Sequence, residues 1–75
     1  MLKTKPQRDP AKIPWPGDRW KFPDESIGVI TITLVDEGHL LYTEEGRPEE
    51  EAMFVWQFLA WTQRESAVYL PPVEA

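Results

Sequence analysis

The chain has 75 residues, a net charge of −5 and no cysteine. That length makes one domain at most, with a core too small to be robust without help. The absent cysteines exclude a disulfide framework and thiolate zinc sites, and one histidine, His39, excludes a histidine cluster.

Four Trp, three Phe and two Tyr remain as the main source of burial. The charge is unevenly placed. Residues 1–13 hold Lys3, Lys5, Arg8 and Lys12 against Asp9, a balance of +3 that leaves −8 on the rest. An acidic body repels phosphate backbones and argues against nucleic acid as the partner of the folded part. No stretch approaches the roughly 20 apolar residues of a membrane span. No apolar run follows the first positive charges, as a secretory signal would require. A cytoplasmic protein without a membrane partner is the expectation.

Residues 1–13 read as a flexible basic arm, with Pro6 and Pro10 interrupting any regular helix. One globular domain is expected over 14–72, and 73–75 form a tail. Pro16-Gly17 is a turn signal, and Trp15 between two prolines is extended. Trp20 and Phe22 alternate with Arg19 and Lys21 as in a short half-buried strand that Pro23 ends. Ile27 to Val35 is the clearest strand, rich in β-branched residues. Strict alternation sends Ile30, Ile32 and Leu34 to the core and Val29, Thr31, Thr33 and Val35 to a second, unusually apolar face. Asp36-Glu37-Gly38 reads as a three-residue hairpin loop, and His39 to Thr43 as the returning strand.

Residues 44–51 form a charged loop, and 52–61 admit two readings. As a helix, Pro48 takes the first position, Glu49, Glu50 and Glu51 fill the first turn, and Met53, Trp56, Leu59, Ala60 and Gln63 share a stripe. As a strand followed by a short helical turn, Met53, Val55 and Gln57 alternate with Phe54, Trp56 and Phe58. Ser66 to Leu70 is a last short strand, stopped by Pro71-Pro72.

The order of these pieces resembles the small SH3-like barrel proteins of unknown function found in phage and prophage genomes. The residues carrying the resemblance are Pro16-Gly17-Asp18-Arg19-Trp20, Val29-Ile30-Thr31-Ile32, Gly38-His39-Leu40-Leu41-Tyr42, and Met53 through Phe58-Leu59, within 16–70. The resemblance implies a mainly β, five-stranded barrel with a short helical turn near the C-terminus. The alternative is an α+β domain with a hairpin or sheet packed on one helix at about 48–64. A fold of this kind implies no activity.

Catalytic constellations are not legible. The Glu44, Glu45, Glu49, Glu50 and Glu51 carboxylates cluster as like charges, which gives a solvated surface and not a pair of separated pKa values. His39 has no nucleophile in a suggestive setting, and Ser26 and Ser66 lie in polar connections. No spaced calcium loop and no glycine-rich phosphate loop occur. The sequence therefore points to a non-enzyme without cofactor or metal.

The tryptophans are too many to bury together in so small a core. Exposed Trp and Tyr anchor protein interfaces. Candidate protein-binding residues are Trp15, Trp20, Trp56, Trp61 and Tyr42, with Glu49, Glu50 and Glu51 setting a charge preference. The functional expectation is a non-catalytic protein-binding module, a phage- or prophage-type accessory or regulatory protein acting through an acidic, aromatic-bearing surface. Two alternatives stand beside it: a structural homo-oligomer closed through the second face of the 27–35 strand, and a nucleic-acid-associated barrel using the basic arm.

Overall fold

The computed structural model describes residues 8–71. The first seven residues of the expected arm, Pro72 and the 73–75 tail lie outside the described residues. Five strands and one helix follow in chain order: β1 (Arg19–Lys21), β2 (Ile30–Asp36), β3 (His39–Glu44), β4 (Glu51–Phe54), α1 (Val55–Arg64) and β5 (Val68–Leu70). The strands form one antiparallel sheet in the order β4-β3-β2-β1-β5.

The molecule is mainly β, as expected, but the sheet is open and not closed into the expected barrel. Strands β4 and β5 are its two edges, and α1 is the connection between them. Instead of joining the edges, this segment sets Phe58 into the core formed by Trp20, Phe22, Ile30, Ile32 and Leu40.

The 51–64 region combines the two readings and corrects both. Residues 51–54 pair with β3, Met53 opposite Leu40 and Glu51 opposite Tyr42. The helix begins only at Val55, whose N–H donates to the Gly38 carbonyl at 2.8 Å, so Pro48 and the glutamates are not its first turn. Its ten residues are also more than a short helical turn. An acidic first turn contributes about 0.3–1 kcal/mol, less than a hydrogen-bonded ladder that also packs Met53 against the core. The helix buries Phe58 and Thr62, and Trp56, Ala60 and Gln63 of the expected stripe face outward.

β2 departs from strict alternation. The pairing with β3 shifts between Ile32 and Leu34, so Thr33 is an extra residue in a bulge. The shift reverses the faces beyond it. Val35 packs on the core, and Leu34, expected inside, is 48% exposed. The hairpin turn is also tighter than expected: Asp36 pairs with His39, leaving Glu37 and Gly38 at φ 47° and 84°. Positive φ at both corners is the two-residue turn that matches strand twist.

The Trp15–Asp18 turn follows the same logic. The Asp18 N–H donates to the Trp15 carbonyl at 3.2 Å, with Pro16 first and Gly17 second at φ 95°. Asp18 then enters the β1 register: Ile32 N–H donates to its carbonyl at 2.9 Å, and alternation puts its side chain on the same face as Trp20. Its carboxylate is fully buried.

Arg8 neutralises that charge. Its Nη1 and Nη2 each donate to one Asp18 oxygen at 2.8 Å, and Nη1 also donates to the Ile13 carbonyl at 2.7 Å. The hydrogen bond to Asp18 raises the guanidinium pKa further. Asp9 and Pro10 open one helical turn between these partners. The Lys12 and Ile13 N–H groups both donate to the Asp9 carbonyl, and the Asp9 side chain accepts from Ala11 N–H. Residues 8–13, read from sequence as part of a loose arm, are therefore built onto the domain. Pro10 is compatible with this because it occupies a first-turn position.

Two substitutions test these backbone assignments. Glu37→Asn should stabilise the protein by about 0.5–1 kcal/mol in urea unfolding, because Asn tolerates the left-handed region better than Glu; no gain would contradict the turn. At Gly28 an added Cβ would meet the Glu45 carbonyl oxygen at 2.6 Å. Gly28→Ala should therefore cost roughly 1–3 kcal/mol, against a neutral or stabilising effect if the 28–45 approach were absent.

Candidate aromatic docking face

Where β4 passes directly into α1, the chain has no loop in which to hide its rings. Met53 points to the inner face with Leu40, and Phe54 points out beside His39. Trp56 is one residue inside the helix and 67% exposed. Phe54 and Trp56 stack with centroids 6.3 Å apart and planes 14° apart, and the His39 ring centroid lies 4.7 Å from that of Phe54. His39, Phe54 and Trp56 thus form a continuous exposed row.

Next to this row is an open groove of about 430 Å³, lined by Met53, Trp56, Gln57, Ala60, Trp61 and Arg64. A shallower depression of about 220 Å³ shares Met53 and Gln57 with it and is completed by His39, Ala52 and Phe54. The groove floor is held from below. Trp61 packs at a tilt of 33° on buried Phe22 with centroids 4.4 Å apart, and Tyr42 packs against Phe58 and Trp61 at 6.1 and 6.2 Å. Arg64 ends the helix and makes a 3.6 Å surface contact with Glu65, so its guanidinium stays solvated at the rim. The lining residues offer ring faces, a thioether, one amide and one cation. These can bind; they provide no general acid–base pair.

The expected residues separate into groups. Trp56 and Trp61 line the groove, Tyr42 packs against Trp61, and Glu51 is reached only through its pairing with Tyr42. Glu49 and Glu50 are exposed on the approach to β4, and Glu50 accepts a hydrogen bond from Thr33 Oγ1 at 2.8 Å. Trp15 is exposed but lies apart from this groove, with the Arg8 guanidinium 5.1 Å from its ring centroid. Trp20 must be removed from the set: it is 5% exposed, edge-on to Phe58 and Tyr69 in the core.

Sequence reasoning missed Met53, Phe54, Gln57, Ala60, Arg64 and His39 as groove or row residues. Their grouping depends on the strand-to-helix change falling between Phe54 and Val55. Residue spacing alone does not fix that point.

The outer sheet face adds a smaller apolar row. Leu34 stands opposite Leu41, and Leu41 opposite Ala52. Among the described residues no three His, Cys, Asp or Glu side chains converge as metal ligands, and no helix is long and apolar enough to cross a membrane.

The Tyr42 phenol reports on the packing behind Trp61. Burial raises its pKa above the ordinary 10.0, aided by the charges of Glu51 and Glu44. The folded state therefore holds the proton more tightly than the unfolded chain. The associated stability is present below pH 10 and lost as pH rises through the elevated value. Ultraviolet titration of the wild type against Tyr42→Phe should show this phenolate forming above pH 10. Glu51→Gln should lower the midpoint only part of the way, because burial is the larger cause; a midpoint at or below 10 would contradict the packing.

Comparison with protein families, curated proteins and solved structures finds no match to this chain.

Proposed function

We propose that the protein is a non-catalytic protein-binding module whose docking face is the β4–α1 junction. The observation that carries the reading is Trp56: a large indole, two-thirds exposed, stacked on a second exposed ring and bordering an open groove. Isolated exposed apolar residues are ordinary, but a stacked row beside a concavity is the arrangement that interface anchors use.

The partner segment should present an apolar anchor flanked by positive charge. Residues 8–71 hold six basic against twelve acidic residues, a net −6, and Glu51 pairs with Tyr42, which packs against the groove residue Trp61. Such a field steers cationic segments toward it and disfavours nucleic acid.

The resemblance extends this reading to an open-sheet relative of the small SH3-like proteins of phage or prophage type, acting as a cytoplasmic accessory protein. Its structural support is the strand order, in which β1 lies between β2 and β5 and α1 links the two edges. A second reading, a homodimer closed through the outer sheet face, is favoured by one observation: Leu34, 48% exposed, stands opposite Leu41.

Affinity capture from a bacterial lysate, repeated with Trp56→Ala and with Glu49, Glu50 and Glu51 replaced by Lys, tests the first reading. A partner retained by the wild type should be lost at least about tenfold from Trp56→Ala, while the fold changes by no more than about 0.5 kcal/mol because the ring is exposed. The triple variant should lose the same partner in low salt. Equal recovery by all three proteins would refute the proposal. Sedimentation at micromolar concentration addresses the second reading: a dimer dispersed by Leu34→Glu supports it, and a strict monomer removes it.

A further inference from the structure

The surroundings of Arg8 constitute a recognition geometry separate from the β4–α1 groove. Its guanidinium meets both Asp18 oxygens at 2.8 Å, the Ile13 carbonyl at 2.7 Å and the Trp15 ring, whose centroid is 5.1 Å away. Tyr69 Oη lies 3.5 Å from the Asp18 carboxylate, and Trp15 N–H donates to it at 3.0 Å. A planar fork fits this set: two parallel N–H donors for the carboxylate, a further one for the carbonyl, and a flat face for the indole. An ammonium cannot make the same contacts.

Asp18, Trp15 and Tyr69 belong to the body of the domain, and the Ile13 carbonyl is held by the 9–13 helical turn, in which Ile13 N–H donates to the Asp9 carbonyl at 2.8 Å. The Trp15–Asp18 turn is fixed by the Asp18 N–H to Trp15 carbonyl bond, and the Gly17 N–H donates to the Ile32 carbonyl at 2.7 Å. Tyr69 lies on β5, paired with Trp20. The carboxylate is fully buried, while the Trp15 indole is 58% exposed, so the socket has a charged floor and an accessible aromatic wall.

We infer that Asp18, Trp15, Tyr69 and the Ile13 carbonyl form a guanidinium-binding site for an arginine presented on a peptide, and that Arg8 fills it as a tethered ligand. The tether is short, only ten positions from Arg8 to Asp18. It gives Arg8 an effective concentration on the order of millimolar or above, so a foreign arginine enters only when Arg8 is withdrawn or outcompeted. This assignment does not depend on the β4–α1 docking face.

Chemical rescue tests it. Arg8→Ala empties the socket and should melt well below the wild type. At 50 mM, methylguanidinium chloride should raise its midpoint by roughly 4 °C over methylammonium chloride at the same concentration. The wild type, already occupied, should show no such rise. The peptide Gly-Arg-Gly should bind Arg8→Ala at least about tenfold more tightly than Gly-Lys-Gly does, and should bind the wild type more weakly.

The double variant with Arg8→Ala and Asp18→Asn carries no buried charge and should answer both salts alike. If Arg8→Ala is unfolded without additive, the same titration reads the return of the near-ultraviolet Trp signal. Failure of methylguanidinium to restore it, equal rescue by both cations, or a selective response in the double variant would each overturn the assignment.

Discussion

A carboxylate stands at one end of the core, and the N-terminal half of the fold is arranged around it. Asp18 is on the inner face because β1 must turn Trp20 inward, and alternation then turns Asp18 inward too. An ionised carboxylate with no solvent exposure is strongly unfavourable unless charge and hydrogen bonds are supplied locally. The structure supplies both: a bidentate guanidinium, a backbone N–H and a more distant phenol. The helical turn at 9–13, the Pro16-Gly17 turn and the start of β1 all follow from bringing these donors to one point. Such a pair adds little to stability compared with a well-packed apolar substitute. Losing one partner is costly, because the other charge is then stranded. The segment before the sheet is therefore part of the domain.

The rest of the stability comes from aromatic packing, and the rings divide unevenly. Trp20, Phe22, Phe58, Trp61, Tyr42 and Tyr69 contact one another through a chain of edge-on and tilted pairs between the sheet and α1. Edge-on contacts align the positive rim of one ring with the negative face of the next, and they tolerate a core with few aliphatic residues to fill gaps. The arrangement leaves one defect among the described side chains: Trp20 Nε1 is buried without an acceptor. Phe54, Trp56 and Trp15 take no part in this packing and remain exposed. A core already filled by six rings has no room for them, so their exposure is a consequence of size as much as of composition.

Much of the sheet was legible because its signals are local. The β-branched run at 27–35, the glycine at position 38 and the alternation around Trp20 each act within a few residues, and each gave the right element, although β2 itself starts only at Ile30. What failed was non-local. The Thr33 bulge has no signature of its own; it follows from β1 and the Trp15–Asp18 turn engaging Ile32 on the side opposite β3. The glutamates before β4 carry a real helix-start signal that the β3 ladder overrides. The Arg8–Asp18 pair was invisible for a different reason. An aspartate after Pro-Gly looks like a turn residue, and an arginine among prolines and lysines looks like a solvated tail. Only the sheet register makes the first buried and the second necessary. The candidate groove was half legible: Trp56 and Trp61 stood out by residue type, but Phe54 and His39 become its neighbours only through strand pairing.

Strand β4 limits how a partner can approach. As an edge strand it offers unpaired backbone groups, and edges of this kind invite another strand to add on. Here that edge is short, four residues, preceded by Glu49 and Glu50 and begun by Glu51, and it runs straight into a helix. Like charges at its entrance oppose pairing with another copy of the same strand, and the helix removes any residues that could extend the ladder. Under the proposed docking, recognition at this face would therefore fall to side chains rather than to backbone pairing. The exposed indole supplies contact area with few rotatable bonds, so little conformational entropy is lost when it is covered. In that proposal the acidic entrance would leave affinity to the rings and act mainly on which partners arrive and how fast.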